Sequence, residues 1–172
     1  MTSNIFKNIF RFVFLILLQG IILNEVKVWQ GFMIPYLYIM AILMLPFKTP
    51  GWLLLLIAFA CGICIDSFNN TLGLHTSACL VLAFARPFLL KTIAPREGYE
   101  STDQPTVQDM GLTWFISYAA ILTFVHHSWL FYLEIGRFSS FFTTLFRIFL
   151  SSIFTVTLMV ISQYFIFKSR GE

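Results

Sequence analysis

Few side chains in this sequence could do chemistry, and their spacing restricts what that chemistry could be. Cys61 and Cys64 stand in a C-x-x-C spacing, which in a soluble βαβ setting would suggest redox work. Here they lie inside an apolar run, zinc would need further ligands nearby, and a thioredoxin-type site needs solvent. They are read as small apolar helix residues, and Cys79 carries no message. His75, His126 and His127 have no metal-ligand spacing, and two adjacent helical residues point to different sides, so all three are read as interfacial. No nucleophile–base arrangement, phosphate-binding glycine loop or carboxylate pair is found. Enzymatic activity therefore has no positive support, and no cofactor or metal is expected. Asn69-Asn70-Thr71 matches a glycosylation sequon, which matters only in a eukaryotic secretory pathway and lies very close to the membrane.

The charges embedded in apolar runs carry more information, since one at the bilayer centre costs about 2.5–3.5 kcal/mol on insertion scales. Asp66 closes Gly62-Ile63-Cys64-Ile65-Asp66 and precedes a polar turn ending at His75. Gly62 admits a neighbouring helix, and Asn69, Asn70 and Gly73 suit a tight turn. Asp66 is open to two readings. In one it is a fixed partner for a buried cation or a cluster of backbone N–H groups; in the other it is a helix end cap or loop residue. An intramembrane enzyme acting on lipid through Asp66 and His75 lacks any partner that completes a mechanism. Arg86, followed by Pro87, either snorkels to phosphates or faces the bundle paired with another helix, and Arg147 can snorkel outward.

These residues must be positioned by membrane-spanning elements. The chain has 172 residues, 58% of them hydrophobic and 11% charged, with a mean hydropathy of +0.82, against about 25% charged in soluble domains. Such a composition leaves too little polar surface for a water-facing exterior. Crossing about 30 Å of hydrocarbon takes about 20 helical residues. Candidate runs at 9–23, 32–45, 51–65, 72–90, 111–131 and 141–167 predict an all-α bundle of about six transmembrane helices, several of them short, in a single membrane domain. The first run follows Lys7 and Arg11 but has no small-residue cleavage site, so it is read as a retained span. Basic residues set the orientation: Lys7, Arg11, Lys48, Lys91, Arg96, Lys168 and Arg170 fall on one side, Lys27 and Arg137 on the other. Both termini are thus expected in the cytoplasm. The polar stretch 94–109 reads as a flexible cytoplasmic loop, and the scattered basic residues do not suggest nucleic-acid binding.

Five segments in order carry a resemblance: Pro35-Tyr36-Leu37-Tyr38, Leu45-Pro46-Phe47-Lys48-Thr49-Pro50, Gly62-x-x-x-Asp66, Asn70-Thr71-x-Gly73-x-His75 and Ala85-Arg86-Pro87. Over about residues 12–90 the chain resembles the MreD family of rod shape-determining proteins, in the form found in Bacteroidetes bacteria. The last two spans match that family only in hydrophobicity. The resemblance implies a non-enzymatic scaffold of the cell-elongation machinery in the bacterial inner membrane. It implies binding to MreC and, indirectly, to MreB filaments and the peptidoglycan synthases, RodA and its transpeptidase. On this reading Gly62, Asp66, Gly73, Arg86 and Pro87 are structural or partner residues. The family's architecture is similar to the substrate-binding subunits of energy-coupling-factor vitamin transporters, which makes transport the alternative. Those subunits commonly carry Ala-x-x-x-Ala on the first helix, and residues 12–20 here lack it.

Overall fold

The computed structural model describes residues 2–26, 28, 29, 32–100, 104–136 and 141–168. Lys27, Arg137 and Arg170, used above for orientation, lie outside the described residues, as do the side chains of Lys7 and Lys168. The helices are α1 (Thr2–Ile21), α2 (Met40–Leu43), α3 (Gly51–Asn69), α4 (Leu74–Thr92), α5 (Val107–Met110), α6 (Leu112–Ile135) and α7 (Phe141–Lys168). Five of them, α1, α3, α4, α6 and α7, are long and apolar enough to cross a membrane.

The long helices are amphipathic in the inverted sense. On α1 the bulky side chains Phe10, Phe14, Leu17 and Ile21 are exposed, while Gln19 is fully buried. On α7 the buried positions Thr144, Ile148, Ser151, Thr155, Met159 and Gln163 recur every three or four residues, and four of them are polar. In water this arrangement would be unstable; in lipid it hides the polar groups and leaves hydrocarbon outside.

The predicted second span, 32–45, is not one helix. It runs extended to Tyr36, turns through a 3₁₀ segment (Leu37–Ile39), and finishes in the single turn of α2. At 14 residues it would reach only about 21 Å as a helix, short of the hydrocarbon thickness. It nevertheless runs along α7: its start is bonded to Ser151, and Met44 near its end meets Gln163, about 18 Å further along that helix. Residues 34–45 are all buried, and Tyr38, Ile39, Ile42 and Leu43 are wholly inaccessible. A broken crossing thus forms the axis around which the helices pack.

Contacts along the helices fix their directions. Gly20 near the end of α1 meets Phe68 near the end of α3, so these run parallel. Arg86, late in α4, bonds Tyr118, early in α6, and Trp129, late in α6, bonds Ser77, early in α4, so this pair is antiparallel. Five helices alone would leave the two ends of the chain at opposite ends of the bundle. The broken crossing restores the parity, and Arg11 of α1 and Gln163 of α7 both reach Met44.

Within the stretch 94–109, described at 94–100 and 104–109, some side chains pack against the bundle. Tyr99 stacks on Phe47 at 4.1 Å and donates to the Leu90 carbonyl at 2.8 Å, and Pro105 and Thr106 are buried. Thr106 caps α5 by accepting from Asp109 N at 3.1 Å. Aromatic packing thus ties Tyr99 to Phe47 and Trp114.

The extended part of the crossing relies on side chains from its neighbours. Replacing Gln19 by Leu should strand the Pro35 carbonyl and Leu37 amide and lower stability by about 1–3 kcal/mol. Phe14→Leu, on the lipid face, should have little effect; thermal unfolding in detergent distinguishes the two outcomes.

Candidate functional site

Two polar centres hold the interior together, one at each end of the bundle. The first is the α3–α4 hairpin. Asn70, in the left-handed region at φ +53°, ends α3, and Gly73 at φ +83° opens α4. Nothing crowds a Cβ at Gly73, so its requirement is conformational. Gly62 is held by space instead: a Cβ there would lie 2.2 Å from Thr76 Cα, so only glycine permits this approach of α3 to α4.

One turn beyond Gly62, Asp66 receives the first amides of α4. Its Oδ1 accepts from His75 N at 3.0 Å and Thr71 Oγ1 at 2.5 Å, and its Oδ2 from Thr76 N at 3.0 Å and Thr76 Oγ1 at 2.6 Å. His75 Nδ1 lies 3.1 Å from Oδ1, and because a carboxylate only accepts, that nitrogen carries the hydrogen. Asp66 thus caps α4 from a different helix, where the helix dipole favours negative charge. The two readings left open by sequence meet here: the backbone N–H cluster that Asp66 holds is a helix end, which it caps.

The second centre lies where α2 ends. Arg86, only 1% exposed, donates from Nε to the Tyr118 hydroxyl at 2.7 Å and from Nη2 to the Leu43 and Leu45 carbonyls. Tyr118 donates to the Leu43 carbonyl at 2.9 Å, and Arg11 donates to the Met44 carbonyl at 2.9 Å. Two guanidinium groups and a phenol therefore take the carbonyls that the helix end leaves unpaired. Arg86 does not snorkel, and its partners are carbonyls and a hydroxyl rather than a second charge. Pro87 follows within α4, exposed on the outer face.

All three histidines are buried, His75 within the first centre and His126 and His127 on α6 beside the broken crossing. Tyr38 OH lies 2.9 Å from His126 Nε2, His126 Nδ1 lies 3.3 Å from His127 Nδ1, and His127 Nε2 lies 3.3 Å from Thr155 Oγ1. The Tyr36 ring packs edge-on against His75 and His127, and Tyr38 against His126. The adjacent pair shares one interior because the broken crossing presents tyrosines to both. Arg147 pairs with Glu134 at 3.2 Å and stacks 4.3 Å over Phe131 rather than reaching outward. Cys61, Cys64 and Cys79 are free thiols, and no group of three potential metal-ligating residues occurs among the described residues. Sequence reasoning missed Gln19, Ser151, Thr155 and Tyr118; the signal was their place on the polar stripes of α1 and α7 and on the buried face of α6.

The fold and its polar interior define a multi-pass helical membrane protein. The chain matches no protein family, no curated protein and no solved structure, so its class rests on the architecture described here.

Gly62→Ala should force α3 and α4 apart and cost about 1–3 kcal/mol or more. Asp66→Asn, which turns an NH₂ toward donors, should cost about 1.5–3 kcal/mol. Both losses should appear as lowered unfolding midpoints of the purified protein, and a wild-type midpoint for Asp66→Asn would contradict the capping role.

Proposed function

We propose that the chain is a non-enzymatic membrane scaffold of the bacterial cell-elongation machinery, similar to MreD, in the inner membrane with both termini cytoplasmic. Its direct partner on this reading is MreC, which links it to MreB filaments and the peptidoglycan synthases. The supporting observation is the use made of the five segments that carry the resemblance. Pro35–Tyr38 and Leu45–Pro50 begin and end the broken crossing, Gly62, Asp66, Gly73 and His75 build the hairpin, and Arg86 closes the crossing's end. Asp66 and Arg86 in these segments are committed to backbone groups and hydroxyls, as suits a part whose task is to hold a shape.

The outer surface supplies docking features. Apolar grooves of about 680 Å³ between α6 and α7 and about 640 Å³ between α4 and α6 share Phe124 and Val125. Helix association in lipid depends on such shape complementarity, because lipid tails solvate leucine as well as a partner does.

A photoreactive residue at Phe124 in native cells should crosslink to MreC, and depletion of the chain should round the cells. Absence of any association with MreC, by crosslinking and by co-purification in mild detergent, would overturn the scaffold reading. Reporter fusions should be active at the C-terminus with a cytoplasmic fluorophore and inactive with a phosphatase that requires export; the reverse pattern would refute the orientation.

A further inference from the structure

The two apolar grooves beside α6 are consecutive along that helix. The first, of about 680 Å³, lies between α6 and α7 and follows α6 from Ile116 to Val125. The second, of about 640 Å³, lies between α4 and α6 and follows α6 from Phe124 to Gly136. Phe124 and Val125 line both, so the grooves join there into one track that crosses α6 from its α7 side to its α4 side. From Ile116 to Gly136 the track follows about 30 Å of helix, the thickness of the hydrocarbon core. An acyl chain reaches across one leaflet, about half that distance, whereas a helix of about 20 residues reaches across all of it.

A polar group on the track points to the same kind of occupant. Ser152 of α7 lines the first groove and is only 8% exposed, and its buried hydroxyl has no hydrogen-bond partner. Three exposed hydroxyls elsewhere on the long helices are satisfied by the carbonyl four residues earlier: Ser67 donates to Ile63, Ser117 to Thr113 and Thr157 to Ile153. An unbonded hydroxyl in hydrocarbon is costly, and an acyl chain has nothing to offer it. A polar side chain on a docked helix would draw it out by rotation about χ1. We propose that the track seats a single transmembrane helix of a partner protein, which crosses α6 at Phe124 and Val125 and presents a hydrogen-bonding side chain to Ser152. The proposal rests on the scaffold reading for the source of that helix, the membrane anchor of MreC.

The full chain co-expressed with full-length MreC in bacterial membranes provides the test. Photoreactive residues placed singly at Ala120 and Leu133, one in each groove, should both crosslink to the MreC anchor, at points about 13 residues apart. Ser152→Ala should weaken co-purification about fivefold. It should leave the unfolding midpoint of the chain alone unchanged, because no bond within the chain is lost. Ala120→Trp, which fills the track, should abolish the complex, and Ala60→Trp, exposed on α3, should not. If MreC still associates but is bound equally by Ser152→Ala and Ala120→Trp, or if both photoreactive positions capture lipid alone, the track is overturned and the scaffold reading stands. No association of the wild-type chain with MreC would overturn both.

Discussion

A backbone amide or carbonyl inside hydrocarbon must find a partner within the protein, because no water is available to supply one. Most of this chain meets that demand with continuous helices. Residues 34–36 cannot, since extended backbone makes no bonds to itself. Gln19 therefore accepts from Leu37 N at 2.9 Å and donates to the Pro35 carbonyl at 3.0 Å. Ser151 accepts from Ile34 N at 3.1 Å, and Thr155 accepts from Tyr36 N at 3.1 Å. Much of the remaining structure follows from this need. It places polar stripes on the inner faces of α1 and α7, keeps those two helices against the axis, and requires a separate solution where α2 runs out of residues.

The intramembrane charges obey one electrostatic rule. Asp66 sits at the start of α4, where unpaired N–H groups make a positive end, and Arg86 and Arg11 sit at the end of α2, where unpaired carbonyls make a negative one. Each charge is held by backbone dipoles, and Asp66 and Arg86 also by hydroxyls. Removing one member of a buried ion pair exposes the other as an orphan. Here removal would expose several backbone groups on a neighbouring element, so each charge fastens two segments. Asp66 joins α3 to α4, Arg86 joins α4 to the broken crossing, and Arg11 joins α1 to it.

Much of this was legible in the sequence, and the parts that were not have physical reasons. Apolar runs located the long helices to within a few residues at most ends, and Gly62 with Asp66 marked the hairpin correctly. The run 32–45 looked like a span because composition is blind to backbone conformation in a buried segment, although its 14 residues were too few for a helical crossing. Arg86 was ambiguous because a long side chain near a helix end can reach either the interface or the interior; only the position of the Leu43 and Leu45 carbonyls decides. His126 and His127 defeated helical periodicity for a related reason. Adjacent residues normally face apart, but a central segment carrying Tyr36 and Tyr38 offers the α6 face partners wide enough to bury both. The stripe Asn8, Arg11, Leu15, Gln19 on α1 was readable in principle, since polar residues at helical spacing in a lipid-facing helix point inward.

A rigid interior has a consequence for how such a protein could work. In water, a partner is drawn to exposed apolar surface by its burial; in lipid, that term largely vanishes and association depends on surfaces that already fit. The grooves along α6 keep their shape only if the helices on either side keep their spacing. On one side α6 is tied to α4 through Tyr118 and Arg86 and through Trp129 and Ser77; on the other it is tied to α7 through His127 and Thr155 and through Glu134 and Arg147. These ties cost polar burial in a region where each unpaired group is expensive, and they yield fixed external relief. On the proposed scaffold reading, residues far from the partner contact govern recognition, because they set the distance between the helices that a partner must match.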